Sequence, residues 1–506
     1  MGILSSLFGT RGVEKAPVKP VPQRSASKMM RMINAANTGR LESSWIATPT
    51  TVDALIYQHW GALVARSREQ SENNDHATKF LSLCEINVAG PSGFTMKSQV
   101  KDPSGSPDLV AQKAVEDAFA EWSEVGNCDV TGTLSRADIE KLIVKTVAID
   151  GEFIAVHRYG PEFPHGYALQ IIDPVTLDPR HFEKLNNGNY IRHGIEFNAN
   201  GKPIAYHFKE VEERQIGYVQ AQKATQRIPA ENVVHIFLPE RVGQKRGLPW
   251  MRTALWRMKM LNGFEDAAIT KARLGASSAG FFKNPDADPD DDEELPMEAG
   301  EPGQFYDIGN REFVQWDPQF PSNDFDPFVK AMLRSISSGL KVSYNNLASD
   351  LTSVNFSSIR QGALDEREMW KGLQEWLIGQ WSKKVFIKWL SVALLNQKIV
   401  VPNRAGVLRP LPFDRFDKYK PVAFRGRRWA WIDPNSEMKA TELGLGLKLI
   451  SRTQAIEDLG RDPEDVWSEI EREEQMMTAM GIDSTMPGDM RTPAEPTAQE
   501  PDPTTA

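Results

Sequence analysis

The chain has 506 residues, 40% apolar and 25% charged, so it exceeds one ordinary domain and holds enough apolar side chains for a sizeable core. Its formal charge of −9 excludes a tight, non-specific DNA binder, which would need surplus Lys and Arg to neutralise phosphates. It does not exclude a protein that lets DNA pass without gripping it.

Residues 1–49 read as a flexible basic arm, with Arg11, Lys15, Lys19, Arg24, Lys28, Arg31 and Arg40 set against Glu14 and Glu42. Pro17, Pro20 and Pro22 discourage regular structure there, so the arm is a free terminus or a segment that binds a neighbour. MGILSSLFGTRG has neither a lysine-led start nor an A-x-A site and is not read as a signal peptide. Apolar residues then recur at helical spacing from Val52 to Glu85 and again over Asp108–Trp122. A β-rich region follows. ALQIID (168–173) and VVHIF (233–237) are strands, and two alternating runs flank Asn200-Gly201, a favoured hairpin pair.

Leu248–Ser277 returns to helix behind Pro249. KNPDADPDDDEELPMEAGEPG is acidic and proline-rich, hence an exposed loop. Asp326-Pro327 opens a helix over 327–341, with Asp as N-cap and Pro at the first helical position. On that helix Val329, Leu333, Ile336 and Leu340 form one stripe. Lys330, Arg334, Ser337 and Lys341 form a second, about 100° round. The polar stretch SYNNLASDLTSVNFSSIRQGALDERE (343–368) leads into a helical pattern from Asn355 to Leu395, roughly 60 Å long if unbroken. Trp370, Trp376, Trp381 and Trp389 stripe it, as intrachain core or as subunit contact. Asp433-Pro434, Ser451 with Gln454, Gly460 and Asp462-Pro463 punctuate three last helices, the third ending at Gly481. Residues 482–506 contain no core-forming run and read as a disordered tail.

Few residues are spaced for chemistry. No glycine-rich loop leads into Lys-Ser/Thr; the nearest, Gly201-Lys202-Pro203, puts proline where a metal-binding hydroxyl is needed. The acidic run from Asp286 begins like a calcium loop, but Asp291 stands at its glycine position and Met297 at its bidentate Glu. No histidine pair has zinc-ligand spacing. GASSAG around Ser277 and Ser278 is a helix end rather than a nucleophile elbow. Cys84 and Cys128 form neither a disulfide framework nor a metal knuckle and fit a reducing cytosol. No apolar run approaches the roughly 18 residues of a membrane span, so no membrane partner is expected. Asp150-Gly151-Glu152 reads as a turn before a strand, with a metal-dependent nuclease as the alternative. No cofactor is expected.

GLKVSYNNLASDLTSVNFSSIRQGALDEREMW (339–370) resembles the core signature of lambda-type tailed-phage portal proteins: a Ser-Tyr-x-x-Leu-x-x-Asp turn, then Asn-aromatic-Ser-Ser opening a long helix. ARSREQSENNDHA (65–77), NVAGPSGF (87–94), DGEFI (150–154), LQIIDPVTL (169–177), the stretch 241–277 and the stretch 429–470 resemble other parts of that family, in its order. The resemblance implies a mixed α+β, predominantly α-helical portal fold. Its parts would be a wing at 50–247, first stem helix 248–275, clip 276–322, second stem helix 323–341, tunnel loop 342–354, a long helix with wing return 355–430, and a crown at 431–481. It further implies a homo-oligomeric ring of twelve copies at one capsid vertex of the virion, assembled in the host cytoplasm. Double-stranded DNA would pass through it without sequence specificity. Terminase large subunit, a head-tail adaptor and major capsid or scaffold protein would be its partners. Lys330, Arg334 and Lys341 would line the channel or simply be solvated. Ser343, Asn345, Asn346 and Ser349 would face the lumen, or else cap helix ends as such residues commonly do.

Overall fold

The computed structural model describes residues 48–209, 225–276, 280–283, 312–315, 325–352, 356–402, 406–429 and 433–481. The expected N-terminal arm, except residues 48 and 49, the acidic loop 283–303 after Lys283, most of the expected clip 276–322 and the tail 482–506 lie outside them. The described residues from Ile56 on group as one main unit. Helices dominate and short antiparallel sheets lie between them, a mixed α+β architecture as expected.

Helix α1 (Val52–Asn73) stops where Asn74 turns its side chain to the Ala77 N–H and starts α2 (Asp75–Cys84). The expected single helix is therefore two, because an Asn that can cap its own downstream amide competes with helix continuation. After a π-helical turn (Glu85–Ala89) come β1 (Thr95–Ser98), α3 (Leu109–Ser123) and α4 (Arg136–Asp150). A reciprocal Ser135–Asp138 capping box opens α4.

β2 (Glu152–Tyr159) lies between β3 (Tyr167–Ile172) and β9 (Val233–Phe237), antiparallel to both. Its alternation feeds two cores. Phe153 and Ala155 pack into the large one, shared with α2, α3, α4 and later helices, while Ile154 and Val156 pack into a smaller one. A five-stranded meander covers the smaller core: β4 (Glu183–Lys184), β5 (Tyr190–Arg192), β6 (Ile195–Phe197), β7 (Pro203–Lys209) and β8 (Thr225–Pro229). Gly201, at φ 78°, turns β6 into β7 where the hairpin pair was expected.

A 3₁₀ turn (Trp250–Thr253) leads into α5 (Leu255–Ala276). β10 (Gly280–Lys283) pairs with β11 (Glu312–Gln315), and α6 (Phe325–Leu340) packs beside α5, with Phe264 stacked on Phe325 at 5.6 Å. After α7 (Tyr344–Ala348), helix α8 (Phe356–Leu377), a π-helical turn (Ile378–Ser382) and α9 (Lys383–Leu395) run on without a break, as the long pattern predicts. Trp370, Trp381 and Trp389 are buried in the subunit. Trp389 meets Phe119 edge-on at 4.9 Å, so this part of the tryptophan stripe is intrachain core. β12 (Val400–Pro402) pairs with β13 (Leu408–Pro410); α10 (Phe416–Tyr419) precedes β14 (Val422–Arg425), which returns to pair with β1. The chain ends its described part in α11 (Pro434–Gly446), α12 (Arg452–Asp458) and α13 (Pro463–Met480), capped by Asp433, Ser451 and Asp462 as the punctuation predicts. Among the described residues no helix is long and apolar enough to cross a membrane.

Candidate functional site

The polar stretch occupies the corner between α6 and α8, and its chemistry starts from how α6 ends. Leu333, Ile336 and Leu340 face the core, so the helix must turn sharply once Leu340 is buried. It does so through Lys341 at φ 61°, with the Val342 N–H donating to Ser337 O (3.1 Å) and the Lys341 N–H to Ser338 O (3.2 Å). This is the Schellman pattern with lysine where glycine is usual. Ser343 then caps α7 by accepting from the Asn346 N–H, Leu347 is buried, and Ser349 ends α7 in the left-handed region at φ 53°.

Asp350 closes the turn. It accepts from the Tyr344 hydroxyl (2.7 Å), the Thr352 hydroxyl (2.6 Å) and the Thr352 N–H (3.0 Å). Bonds from Thr352 and then Tyr344 hold its carboxyl far below the usual carboxylate range. The Ser-Tyr-x-x-Leu-x-x-Asp spacing is thus one cap, one buried anchor and one side-chain bond that fixes the loop. From α8, Glu366 Oε2 accepts from the Ser343 N–H (3.2 Å) and the Asn346 amide (2.7 Å). Glu366→Ala is expected to cost about 1–3 kcal/mol, because both donors lose their acceptor. Urea denaturation checks the loss, and protease cleavage between Val342 and Asp350 reports whether the corner has loosened.

The basic stripe of α6 meets this corner. Lys330 Nζ lies 2.8 Å from Asp326 and 3.9 Å from Asp350, and the Arg334 guanidinium sits 5.3 Å from the Tyr344 ring centroid. Ser337, placed in the same stripe, is buried with its hydroxyl donating to the Arg334 carbonyl. Lys341 is 71% exposed and 3.7 Å from Glu240, and it lies past the helix end rather than on the stripe. The helix also starts at Phe325, one residue before the expected Asp326 cap. Lys330, Arg334, Ser343 and the exposed Asn346 are therefore engaged in shaping the corner, while Lys341 and Ser349 are exposed and Asn345 is half-buried. Glu366 was missed because it acts on residues 20 and 23 positions away, and no local pattern signals that.

Asp150 and Glu152, the nuclease alternative, are committed elsewhere. Arg68 donates to both Asp150 oxygens (2.8 and 2.6 Å) and to Asp173 (2.8 Å). Glu152 is fully buried and accepts from Arg246 Nε (2.7 and 2.9 Å), from the Gly247 N–H (2.9 Å) and through His235 (3.1 Å). Among the described residues no group of three or more His, Cys, Asp or Glu is placed to hold a metal ion. These contacts tie together segments far apart in sequence, 65–77, 150–154, 169–177 and 241–277. Similarly, Asn87 receives Trp429 Nε1 at 3.0 Å, joining the stretches 87–94 and 429–470.

Residues 38–374 match the family described as phage portal protein, lambda family. The chain belongs to that family. This portal protein is 33% identical over 477 residues to a probable portal protein of Halomonas phage phiHAP-1, covering 91% of this chain and 89% of that one. It is 23% identical over 411 residues to portal protein B of Escherichia phage lambda, covering 72% and 74%. A chain from the neck of an empty gene transfer agent particle, computed with C6 symmetry, has a TM-score of 0.40 to it at 14% identity, over 84% of this chain and 99% of that one. The family match includes the whole corner from α6 through all but the last three residues of α8, so the residues that build the turn belong to the portal region of the chain.

Proposed function

We propose that this portal protein forms a closed ring of twelve copies at one capsid vertex. Double-stranded DNA enters through it during packaging and leaves through it on ejection. The ring is also the docking platform for the terminase large subunit and a head-tail adaptor, and it contacts major capsid or scaffold protein. In this reading 50–247 is the wing, 248–275 and 323–341 the stem helices, 276–322 the clip, 342–354 the tunnel loop, 355–430 the long helix with the wing return, and 431–481 the crown.

The α6–α7 corner carries the reading for DNA. Its cations Lys330 and Arg334 are matched by Asp326, Asp350 and the Tyr344 ring, so the loop offers hydroxyls and amides with little net charge. Such contacts exchange readily, whereas a free cation row would add a salt-dependent attraction to each passing phosphate. Adding that attraction is the test. Procapsids built with Asn345→Lys and Ser349→Lys are expected to package DNA more slowly than wild type, and the difference should shrink between about 50 and 200 mM salt. Equal packaging rates at low salt would contradict DNA contact by this loop.

The same reading makes the protein non-catalytic. Its support is that Asp150 and Glu152 are held by Arg68 and Arg246. Purified protein with Mg²⁺ or Mn²⁺ should leave linear and circular DNA intact. Cleavage that disappears in the Asp150→Asn, Glu152→Gln variant would restore the nuclease alternative.

A further inference from the structure

The C-terminal helices carry large apolar side chains that nothing among the described residues covers. Met438, Leu443, Leu449, Trp467, Ile470 and Met480 are 45–76% exposed, and neither α11 nor α12 contains a buried residue. Large apolar side chains exposed together on these helices mark a surface that a partner covers.

The patch has two halves of opposite character. One is a hollow of 580 Å³ at the α11–α12 junction, lined by Leu445, Leu449 and Ile450 and rimmed by Lys448 and Arg452. Neither cation makes an ion pair among the described residues. Lys448, at φ 57°, turns the chain so that Leu449 stands 76% exposed. The other half is α13, whose Trp467, Ile470 and Met477 fall on one face at spacings of three and seven. Glu471 and Glu474 lie on the same face, and the helix carries six acidic residues against Arg472 alone.

We propose that the Trp467–Ile470 face of α13 in one subunit docks into the Lys448/Arg452-rimmed hollow of the adjacent copy of this chain. A ridge with acidic flanks meets a hollow that offers Leu445, Leu449 and Ile450 between basic flanks, so charge and apolar character agree. The two surfaces are different patches of one chain. Their contact is therefore head-to-tail, the kind that closes into rings when the rotation permits. DNA is the wrong occupant for α13, since its acidic residues repel phosphate. The proposal rests on the ring reading and names the surface that holds the ring together at its C-terminal end.

Two measurements test it. Lys448→Glu with Arg452→Glu is expected to lower the ring fraction in native mass spectra at least ten-fold at low salt. Adding Glu471→Lys and Glu474→Lys to the same chain should restore rings. Independently, Leu449→Cys and Ile470→Cys chains, mixed and oxidised, should give a cross-linked dimer that neither gives alone; Cys84 and Cys128 are buried and do not compete. Rings that ignore the charge reversal, or a mixture without cross-linked dimer, overturn the docking and leave the portal reading intact. A wild-type chain that forms no ring overturns both.

Discussion

Replacing Arg246 by Ala is expected to destabilise the protein by about 3–5 kcal/mol, the cost of leaving a buried charge without its partner. Arg246 and Glu152 are both fully buried. Beyond the carboxylate, the guanidinium donates to the carbonyls of Leu177 (2.8 Å), His193 (3.2 Å) and Pro174 (3.2 Å), and lies 4.6 Å from the Trp60 ring centroid. Truncation orphans those carbonyls too, and it opens a cavity between the two cores. Arg246→Lys should recover only part of the loss, since an ammonium cannot reproduce the fork. Urea denaturation followed by tryptophan fluorescence measures both variants; an Arg246→Ala protein within about 1 kcal/mol of wild type would contradict the account.

The same pair fixes a pH dependence. Burial alone would raise the Glu152 carboxyl, but Arg246 and His235 hold it down, to about 2 against an ordinary 4.5. A folded-state value below the unfolded one stabilises the protein fully above pH 4.5, and the contribution fades as the pH falls toward 2. In Arg246→Ala the guanidinium no longer opposes burial, so the carboxyl rises instead. The stability gap between wild type and variant should therefore narrow on acidification over that window.

Gly151→Ala should be as damaging or worse, about 4–5 kcal/mol or more, because backbone cannot give way as a side chain can. Gly151 sits at φ 91° at the end of α4, and a Cβ there would lie 2.6 Å from the Gly247 carbonyl carbon and closer still to Leu248. Gly247 meets Gly151 just as tightly, and its carbonyl accepts from Trp60 Nε1 at 3.0 Å. This crossing sets where the chain leaves the sheet for α5. Gly126 is a control at nearly the same φ, 93°, with no atom near the added Cβ. Gly126→Ala should cost only the strain of a left-handed alanine, about 1–2 kcal/mol. Equal effects at the two positions would show that strain rather than contact governs both.

What was legible in the sequence is what is settled within a few residues. Asp433, Ser451 and Asp462 cap helices where their spacing says they should, because a cap needs only its own next three residues. Asn200-Gly201 likewise specifies its own turn. Elsewhere less was legible. The Ser135–Asp138 signal opening α4 was present but not singled out, whereas β2 was foreseen only as the strand behind the Asp150-Gly151-Glu152 turn, because it is buried on both faces and lacks the alternation that would set its length. In the candidate site, periodicity correctly put Lys330 and Arg334 on one face of α6. What that face meets, Tyr344 and Asp350, depends on a turn that only the folded chain makes. Glu152 and Arg246 stand 94 residues apart, and neither residue type announces a buried pair.

The ring stands or falls on the mass of the purified assembly. Native mass spectrometry with negative-stain imaging should show a closed ring near 0.7 MDa, twelve copies of the 56.7 kDa chain, around a central opening. A particle that stays monomeric at high concentration and in the presence of scaffold protein would contradict it.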